Sequence, residues 1–406
     1  MTYDIAIVGG GIVGLATGRE LLLRHPRLKL AVLEKEEAVS RHQTGHNSGV
    51  IHSGIYYTPG SLKARLCTEG RRALWAYCER KGIEYRQVGK LIVATEEHEL
   101  PALQALWERG HANGIENLEM LDAAGIRARE PHCAGIKAIF SPVTGIVDYG
   151  VVARSYAADI EEMGGEILTG RKVSDIQRRA GITLITTGKG DIEARAVITC
   201  GGLQSDRLAK MTGGGADPKI VPFRGDYLIL KPEKRGLVKG NIYPVPDPAF
   251  PFLGVHFTPR MNGDVWLGPN AVLAFAREGY SFTTVNLGDL VESLTYAGFI
   301  KMAGKYMAVG MGEMYRDIVR AAYVKALQRY IPELKVEDTL SGPSGVRAQA
   351  MNADGSMVDD FVFEGSEGVV HVRNAPSPAA TSSLAIGAYI ADDADARFGL
   401  ETALSR

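Results

Sequence analysis

The sequence predicts an α/β fold that combines a Rossmann-type dinucleotide-binding domain with an inserted second domain of α+β type. At the N-terminus, an apolar run (residues 4–8), a glycine-rich turn, a helical pattern and a second apolar run fit one βαβ unit. The 48 glycines fall mainly at the ends of apolar runs, where α/β nucleotide-binding folds use them. After residue 222 apolar and polar residues alternate, which predicts a mostly antiparallel sheet in the inserted domain.

The βαβ unit contains the motif Gly9-x-Gly11-x-x-Gly14 between its first strand and its helix. The first glycine permits a tight turn, the second lets the backbone approach a pyrophosphate, and the third lets helix and strand pack closely. The helix N-terminus then offers free N–H groups to the phosphates. Glu34 ends the second strand, where a carboxylate can accept hydrogen bonds from both ribose hydroxyls. The motif predicts a dinucleotide site but does not separate NAD from FAD.

Composition narrows the class of protein. A chain of 406 residues favours two domains, and a net charge of −1 gives no field that would attract nucleic acid. The four cysteines show no metal-binding or CxxC spacing, so we expect reduced thiols, no metal site and a cytoplasmic location. No apolar stretch reaches the roughly 18 residues of a transmembrane helix, and a strand that begins by Asp4 argues against a signal peptide.

The order of elements predicts that the dinucleotide-binding domain is assembled from three separated segments. These are residues 1–82, 145–215 and 340–406, and the second domain takes residues 83–144 and 216–339. Within the second domain, Asn262-Gly263 predicts a two-residue hairpin turn.

Two features favour a flavin. Small residues follow the strands that end at Gly201-Gly202 and before Ser377–Ser383, which leaves room for a flat ring near a helix N-terminus. The polar segment 44–57 concentrates His, Asn and Tyr beside the nucleotide unit. An ordinary capped helix and a solvated loop are the alternative interpretations.

These stretches resemble the L-2-hydroxyglutarate oxidase/dehydrogenase family, within the glycine/D-amino-acid oxidase superfamily of FAD enzymes. The similarity spans almost the full chain and is carried by residues 43–57, 221–227, 254–258, 268–271, 277–280 and 375–383. It implies an FAD-binding Rossmann-type domain and oxidation of L-2-hydroxyglutarate to 2-oxoglutarate by hydride transfer to flavin N5. A quinone or another acceptor would then take the electrons.

The motif and the resemblance together assign the cofactor-binding residues. They are Gly9, Gly11, Gly14, Glu34, Lys35, Thr44, Asn47, Ser48, Val173, Gly201, Gly202, Pro378, Ala379, Ala380, Thr381 and Ser382.

Oxidation of a 2-hydroxy acid needs a base that titrates near neutrality, which favours histidine. Only His52 and His256, among nine histidines, lie in segments that resemble the active-site lining. A substrate with two carboxylates calls for an arginine, and Arg347 follows the superfamily pattern for an arginine near the flavin's substrate face. We therefore predict His52, His256 and Arg347 as catalytic; the predicted substrate-binding residues are Tyr56, Tyr227, Thr258 and Arg277. Buried core positions and surface charges are the alternatives for each.

Other functions remain open from sequence. Glycerol-3-phosphate dehydrogenases share the stretch Asn-Ser-Gly-Val-Ile-His-Ser-Gly, and an amino-acid oxidase, an NAD-dependent dehydrogenase or a non-enzymatic flavin-binding protein are further alternatives. Residues 299–309 mix apolar, Met and Lys residues at helical spacing. This pattern predicts either peripheral contact with the inner face of the cytoplasmic membrane, near a quinone, or a Met-rich helix packed on the core.

Overall fold

The structure is a computed structural model that describes residues 2–247 and 254–400. Residues 1, 248–253 and 401–406, which the sequence assigned to one or other domain, lie outside the described residues. The strands are β1 Thr2–Val8, β2 Leu30–Leu33, β3 Val50–Ile51, β4 Tyr85–Arg86, β5 Lys90–Ala94, β6 Glu119–Asp122, β7 Lys137–Ser141, β8 Gly145–Val147, β9 Glu166–Leu168, β10 Val173–Arg179, β11 Ile182–Thr187, β12 Ile192–Thr199, β13 Lys219–Leu230, β14 Asn241–Pro244, β15 His256–Pro259, β16 Val265–Gly268, β17 Val272–Leu273, β18 Thr339–Met351, β19 Val362–Ser366 and β20 Val369–Asn374. The helices are α1 Ile12–Arg24, α2 Leu62–Lys81, α3 Leu100–Ala112, α4 Ala123–Arg129, α5 Tyr149–Glu162, α6 Ser205–Met211, α7 Leu287–Thr295, α8 Ala297–Lys305, α9 Met307–Ile318, α10 Arg320–Leu327 and α11 Ser383–Phe398.

The first sheet contains the predicted βαβ unit. Strand β1 pairs in parallel with β2 on one side and β12 on the other, and β9 and β20 extend the parallel part. The antiparallel strands β10, β11 and β19 complete this sheet of eight described strands. The βαβ unit is therefore confirmed, and residues 173–187 form an antiparallel hairpin at the edge of this sheet.

Helices α1, α5 and α11 cover one face of this sheet. Their apolar faces meet the strands in one core, as shown by Ile5, Leu15, Val152 and Ile390, each at most 1% exposed. Burying an aliphatic side chain of this size contributes about 1.5–3 kcal/mol. This packing fixes the N-terminus of α1 against the carboxyl end of β1.

The second sheet follows the order β17-β13-β16-β15-β14-β5-β7-β6, with β18 paired on β13. Among the described residues, neighbouring strands of this sheet run antiparallel, except for β14 and β5, which run parallel. The hairpin β15–β16 turns through residues 260–264, which contain the predicted Asn262-Gly263, and Gly263 has a φ of +86° that favours glycine. The loop is longer than the predicted two residues. The predicted fold class, a Rossmann-type domain with an inserted, mostly antiparallel α+β domain, is confirmed.

One predicted domain boundary needs correction. Strand β18 lies along β13, from Met351 opposite Lys219 to Thr339 opposite Leu230, so residues 340–351 belong to the second sheet and not to the first. Sequence alternation shows which face of a strand is buried. It does not show which strand lies next to it, and the partner of β18 is about a hundred residues earlier in the chain. The rest of the predicted division stays a prediction.

The region from residue 287 contains four successive helices, α7–α10. Residues 299–309, where the sequence shows helical spacing, run from α8 into α9. Asn286 caps α7 by accepting a hydrogen bond from the Asp289 amide. Among the described residues, the helices are all too short or too polar to cross a membrane.

Candidate active site

A cavity of about 1130 Å³ opens at the carboxyl ends of β1, β2 and β12, beside the N-terminus of α1. This is the crevice in which open α/β sheets bind their ligands. Its lining includes most of the predicted cofactor residues: Gly9, Gly11, Glu34, Lys35, Thr44, Asn47, Ser48, Val173, Gly201, Gly202, Pro378, Ala379, Ala380 and Thr381.

The glycine motif shapes one wall of the cavity. A Cβ on Gly9 would lie 2.4 Å from the Cys200 carbonyl oxygen, and a Cβ on Gly14 would lie 2.1 Å from the Gly9 carbonyl oxygen. These two glycines permit close packing of the turn. A Cβ on Gly11 would meet only the Thr44 hydroxyl, at 3.4 Å, so Gly11 faces open space where a phosphate can approach the backbone. Gly14 itself lies outside the cavity lining.

Glu34 is held in one orientation at the end of β2. Its Oε2 atom accepts a hydrogen bond from the Gly10 amide at 2.8 Å, and Oε1 accepts from the Glu36 amide at 2.9 Å. The side chain is 7% exposed. A carboxylate fixed at this position, opposite the N-terminus of α1, suits the ribose of a dinucleotide.

Lys35 organises a polar cluster at the cavity mouth. Its Nζ donates to Glu36, to Glu278 at 2.9 Å and to His42 at 2.8 Å. The hydrogen bond from Lys35 lowers the pKa of Glu36 to about 2. The ligand atoms of Glu36, His42 and Glu278 lie within 4.8 Å of one another, but the ammonium of Lys35 lies among them and offsets part of the charge of the two carboxylates, which disfavours a cation.

The same cavity reaches three of the residues predicted for catalysis and substrate binding. His52, Tyr227 and Arg347 line it. The His52 amide donates to the Thr381 hydroxyl at 3.1 Å, and that hydroxyl also bonds to the Tyr149 hydroxyl at 2.8 Å. These bonds hold the segment after β3 against the segment before α11.

His52 itself has an unusual environment. The residue is half-buried, and desolvation, together with the nearby charge of Lys90, lowers its pKa well below 6.5. Its Nδ1 atom has no hydrogen-bond partner within the described part of the chain. Buried polar atoms in native proteins are nearly always hydrogen-bonded, so this atom is available to a ligand.

A second group, which consists of His256, Tyr56 and Thr258, does not line the large cavity. His256 and Thr258 are buried and Tyr56 is partly buried. The His256 ring stacks on Tyr243 with the ring centroids 3.9 Å apart. Its Nδ1 donates to the Gly254 carbonyl oxygen at 3.0 Å. Because a carbonyl only accepts, the proton resides on Nδ1 and Nε2 keeps its lone pair. Burial lowers the pKa of His256 to about 3, so the ring is neutral.

Arg277 does not occupy the predicted substrate-binding position. It is 2% exposed and donates to both carboxylate oxygens of Asp206, to the Leu203 carbonyl oxygen at 2.7 Å and to Glu292 at 3.2 Å. It is also absent from the cavity lining. The structure therefore assigns Arg277 to a buried ion pair, because acidic groups of α6 and α7 already engage its guanidinium.

Ser382 also lies outside the cavity lining. It is fully buried just before α11, where the Gly70 backbone approaches so closely that a Cβ on Gly70 would lie 2.5 Å from the Ser382 Cα. The structure thus gives it a packing contact in place of the predicted cofactor contact.

Sequence reasoning missed two features of the site. His46 lines the cavity and packs against Tyr280, with the ring centroids 4.2 Å apart and the rings tilted by 30°. Lys90 begins strand β5, in which all five residues are buried. A lysine in the otherwise apolar run Lys-Leu-Ile-Val-Ala was the signal available for Lys90, since a lysine is almost never fully buried unless paired.

Comparison with known proteins decides the family. A family model described as FAD dependent oxidoreductase matches residues 4–393. The chain is 58% identical to the mitochondrial L-2-hydroxyglutarate dehydrogenase of Nematostella vectensis over 98% of this chain and 91% of that protein. It is 53% identical to the human protein of that name, over 98% and 90% of the two chains. The chain belongs to the L-2-hydroxyglutarate dehydrogenase family. It is also 48% identical to L-2-hydroxyglutarate dehydrogenase of Indibacter alkaliphilus, over 98% of this chain and 100% of the relative.

Solved structures support the fold of this L-2-hydroxyglutarate dehydrogenase family member. L-α-glycerophosphate oxidase of Mycoplasma pneumoniae superposes with a TM-score of 0.76 at 24% identity, covering 96% of this chain and 93% of that one. Glycine oxidase of Geobacillus kaustophilus gives 0.72 at 20% identity, covering 96% and 94%. These likenesses concern the fold alone.

The cofactor of the family is FAD, and the cavity fits it. The glycine turn leaves space at Gly11, the Glu34 carboxylate is fixed beside the helix N-terminus, and small residues from 378 to 380 line the far end. The predicted preference for FAD over NAD is therefore confirmed, and the sequence resemblance to this family is confirmed with it.

Proposed function

We infer that the protein is an FAD-dependent dehydrogenase that oxidises the CH–OH group of L-2-hydroxyglutarate to give 2-oxoglutarate. The observation that carries this inference is the identity of 48–58% with L-2-hydroxyglutarate dehydrogenases across 98% of the chain. Bound FAD supplies the acceptor for the hydride that leaves C2 of the substrate. The chain itself must bind the diacid, orient C2 and take the hydroxyl proton.

His256 is the proposed acceptor for the hydroxyl proton. Its Nδ1–H bond to the Gly254 carbonyl fixes the tautomer that leaves Nε2 free to accept. Burial keeps the ring neutral in the absence of substrate, with a pKa of about 3. An anionic substrate raises that pKa and makes the ring a better base. His52 lines the cavity, and its amide is held by the Thr381 hydroxyl. We propose that His52 contacts the flavin edge and orients the substrate.

Arg347 is the proposed partner of the substrate carboxylate next to C2. It lies on β18, where its side chain is exposed, and it lines the cavity together with Tyr227. A guanidinium can hold a carboxylate through two parallel hydrogen bonds, which fixes orientation as well as charge. Tyr227 adds a hydroxyl on the neighbouring strand β13. Tyr56 and Thr258, which belong with His256 to the second group, are proposed to contact the substrate as well.

The remaining predicted residues are proposed to bind FAD. Gly9 and Gly11 admit the pyrophosphate, Glu34 holds the ribose, and Val173 lines the cavity beside it. The other proposed contacts are Lys35, Thr44, Asn47, Ser48, Gly201, Gly202, Pro378, Ala379, Ala380 and Thr381, all of which line the cavity.

A product assay tests the proposed reaction. Purified holoenzyme with L-2-hydroxyglutarate and an artificial electron acceptor should form 2-oxoglutarate in step with acceptor reduction, and the D-enantiomer should not react. Absence of 2-oxoglutarate with an enzyme that is fully loaded with FAD would contradict the inference.

We propose that the electrons pass to a quinone at a membrane surface. The support is a set of exposed apolar side chains on α7–α9, about half or more of each being accessible: Leu287, Val291, Leu294, Ile300, Met307, Met311, Met314 and Ile318. Exposed apolar side chains on neighbouring helices are typical of interaction sites, and short amphipathic helices bind at the membrane interface. A cytoplasmic location, at the inner face of the cytoplasmic membrane, is proposed with it.

Vesicle co-sedimentation tests the membrane proposal. The protein should sediment with lipid vesicles and reduce a quinone dissolved in them, and the double variant Ile300→Glu/Met311→Glu should lose both properties. Ile136→Glu is the control, because Ile136 is 41% exposed but lies outside α7–α9. Equal sedimentation of the wild type and the double variant would contradict the proposal.

A further inference from the structure

Lys90 carries an amine into the interior of the second sheet. The residue is 1% exposed, and its Nζ lies 4.1 Å from the ring centroid of Tyr243 and 5.2 Å from that of Tyr56. Aromatic faces stabilise a cation only in part. The side chain therefore carries a charge into a place where charge is costly.

The described residues provide no acidic partner for this charge. Within residues 2–247 and 254–400, the pKa of Lys90 is affected by burial and by Cys67, and by no Asp or Glu side chain. Lys63, which is also buried, forms an ion pair with Asp359 at 2.8 Å. A buried cation without a counterion costs several kcal/mol, and burial accordingly lowers the pKa of Lys90 to about 7. An anion that arrives with a ligand would supply the missing counterion.

The surroundings of Lys90 place it beside the proposed reaction site. After burial, its charge is the next cause of the lowered pKa of His52. His256 lies within electrostatic range of both Lys90 and Arg347. The ring of Tyr56 faces the Lys90 amine, and the Tyr56 hydroxyl has no hydrogen-bond partner in the part of the chain that the structure describes. The proposed base thus has a cation from each of two strands, β5 and β18, in its vicinity.

We propose that Lys90, with the Tyr56 hydroxyl, forms the binding site for the substrate carboxylate remote from the reacting carbon. The proposal rests on the proposed oxidation of a dicarboxylic hydroxy acid. Arg347 lines the large cavity and Lys90 does not, so Arg347 serves the carboxylate next to C2 and Lys90 serves the far one. Binding is purely electrostatic and hydrogen-bonded, and no covalent step is involved.

This site makes the enzyme selective for dicarboxylates. A monocarboxylic analogue with a methyl group in place of the far carboxylate leaves Lys90 buried and unpaired. A binding site built for a polar group rejects analogues that lack the group, because its own polar atoms then lose their partner.

Equilibrium binding to the FAD holoenzyme tests the site without turnover. Glutarate and valerate have the same chain length and no hydroxyl group, and their binding is followed by the change in the flavin absorbance spectrum. Lys90→Met should raise the Kd of glutarate about 10- to 100-fold and change that of valerate less than about threefold. The matched control is Lys137→Met, on the neighbouring strand β7, where the side chain is exposed; it should leave both Kd values unchanged.

A second variant guards against simple misfolding. Lys90→Arg keeps the charge, so it should retain most of the preference for glutarate over valerate, and both variants are compared at equal FAD content. An unchanged glutarate Kd in Lys90→Met, or an equal loss for glutarate and valerate, would overturn the proposal. If Lys90→Met does not fold, a wild-type preference for glutarate below about fivefold over valerate overturns it, and a larger preference that Lys90→Arg retains supports it.

Failure of the proposed reaction is a separate outcome. An enzyme that prefers glutarate through Lys90 but does not oxidise L-2-hydroxyglutarate retains the carboxylate site and loses the proposed function. If the Lys90→Met enzyme binds L-2-hydroxyglutarate with wild-type affinity and oxidises it, the proposed function is retained and the proposed carboxylate site is wrong.

Discussion

The rings of His256 and Tyr243 lie against each other on neighbouring strands, with their centroids 3.9 Å apart. This contact and the bond from Nδ1 to the Gly254 carbonyl hold the imidazole in one orientation and one tautomer. An imidazole held in this way does not have to reorganise when a hydroxyl group is presented to Nε2.

Replacing this ring tests its proposed role. His256→Gln should slow flavin reduction by L-2-hydroxyglutarate about 10²- to 10³-fold while FAD stays bound, since glutamine can donate and accept hydrogen bonds but cannot take the proton. Anaerobic stopped-flow absorbance measures the rate. His98→Gln, at a position whose side chain is 72% exposed, is the control, and a wild-type rate in His256→Gln would remove His256 as the base.

Arg347 should act mainly on substrate affinity. Arg347→Met removes a charge-assisted pair, which is worth about 1.5–3 kcal/mol, so we expect KM for L-2-hydroxyglutarate to rise at least tenfold. Arg195→Met, at an exposed position, should leave KM unchanged. If steady-state assays of Arg347→Met return the wild-type KM, the carboxylate contact is elsewhere.

Arg277 should instead act on stability. Arg277→Met leaves the buried Asp206 carboxylate without its main partner and should lower the free energy of unfolding by about 3–5 kcal/mol, with KM unchanged. Although burial raises it, the hydrogen bonds from Arg277 lower the pKa of Asp206 below 3.8. The pair therefore stabilises the fold above about pH 4 and loses that effect as the pH falls through the lowered pKa.

Denaturant titration at two pH values checks this prediction. The difference between wild type and Arg277→Met should be large at neutral pH and should shrink in acid. A raised KM with unchanged stability would instead support the substrate-binding role that the sequence suggested for Arg277.

The ion pair also shows what the sequence could not predict. Asp206 and Arg277 are 71 positions apart, and no local pattern indicates that an arginine within a segment that resembles the family turns away from the cavity. The βαβ unit was predictable because its glycines, helix and strands are local in sequence. The sheet that β18 joins was not, because alternation fixes a face and not a partner.

Lys90 gives a prediction for pH. Burial lowers its pKa to about 7, and only the protonated form attracts a carboxylate. The Kd of glutarate for the holoenzyme should therefore be constant below pH 7 and rise above it, by up to tenfold per unit, until the pKa of Lys90 in the complex is passed. The Kd of valerate should stay flat over the same range. Parallel pH profiles for the two ligands would contradict the prediction.

The glycine turn should control cofactor retention. Gly14→Ala places a methyl group 2.1 Å from the Gly9 carbonyl oxygen, so the turn must open and FAD should be lost during purification. Gly304→Ala in α8 is the control, because nothing lies within 4 Å of its Cβ position and alanine favours the helix. The ratio of flavin to protein absorbance reports the result, and full FAD content in Gly14→Ala would show that the turn tolerates displacement.

The most direct test of the account is an anaerobic titration of the purified, yellow holoenzyme with L-2-hydroxyglutarate, glycerol 3-phosphate and glycine in parallel. We predict that L-2-hydroxyglutarate alone bleaches the visible flavin band and that one 2-oxoglutarate forms for each flavin reduced. A flavin that stays oxidised with L-2-hydroxyglutarate, or that is reduced faster by either of the other compounds, would contradict it.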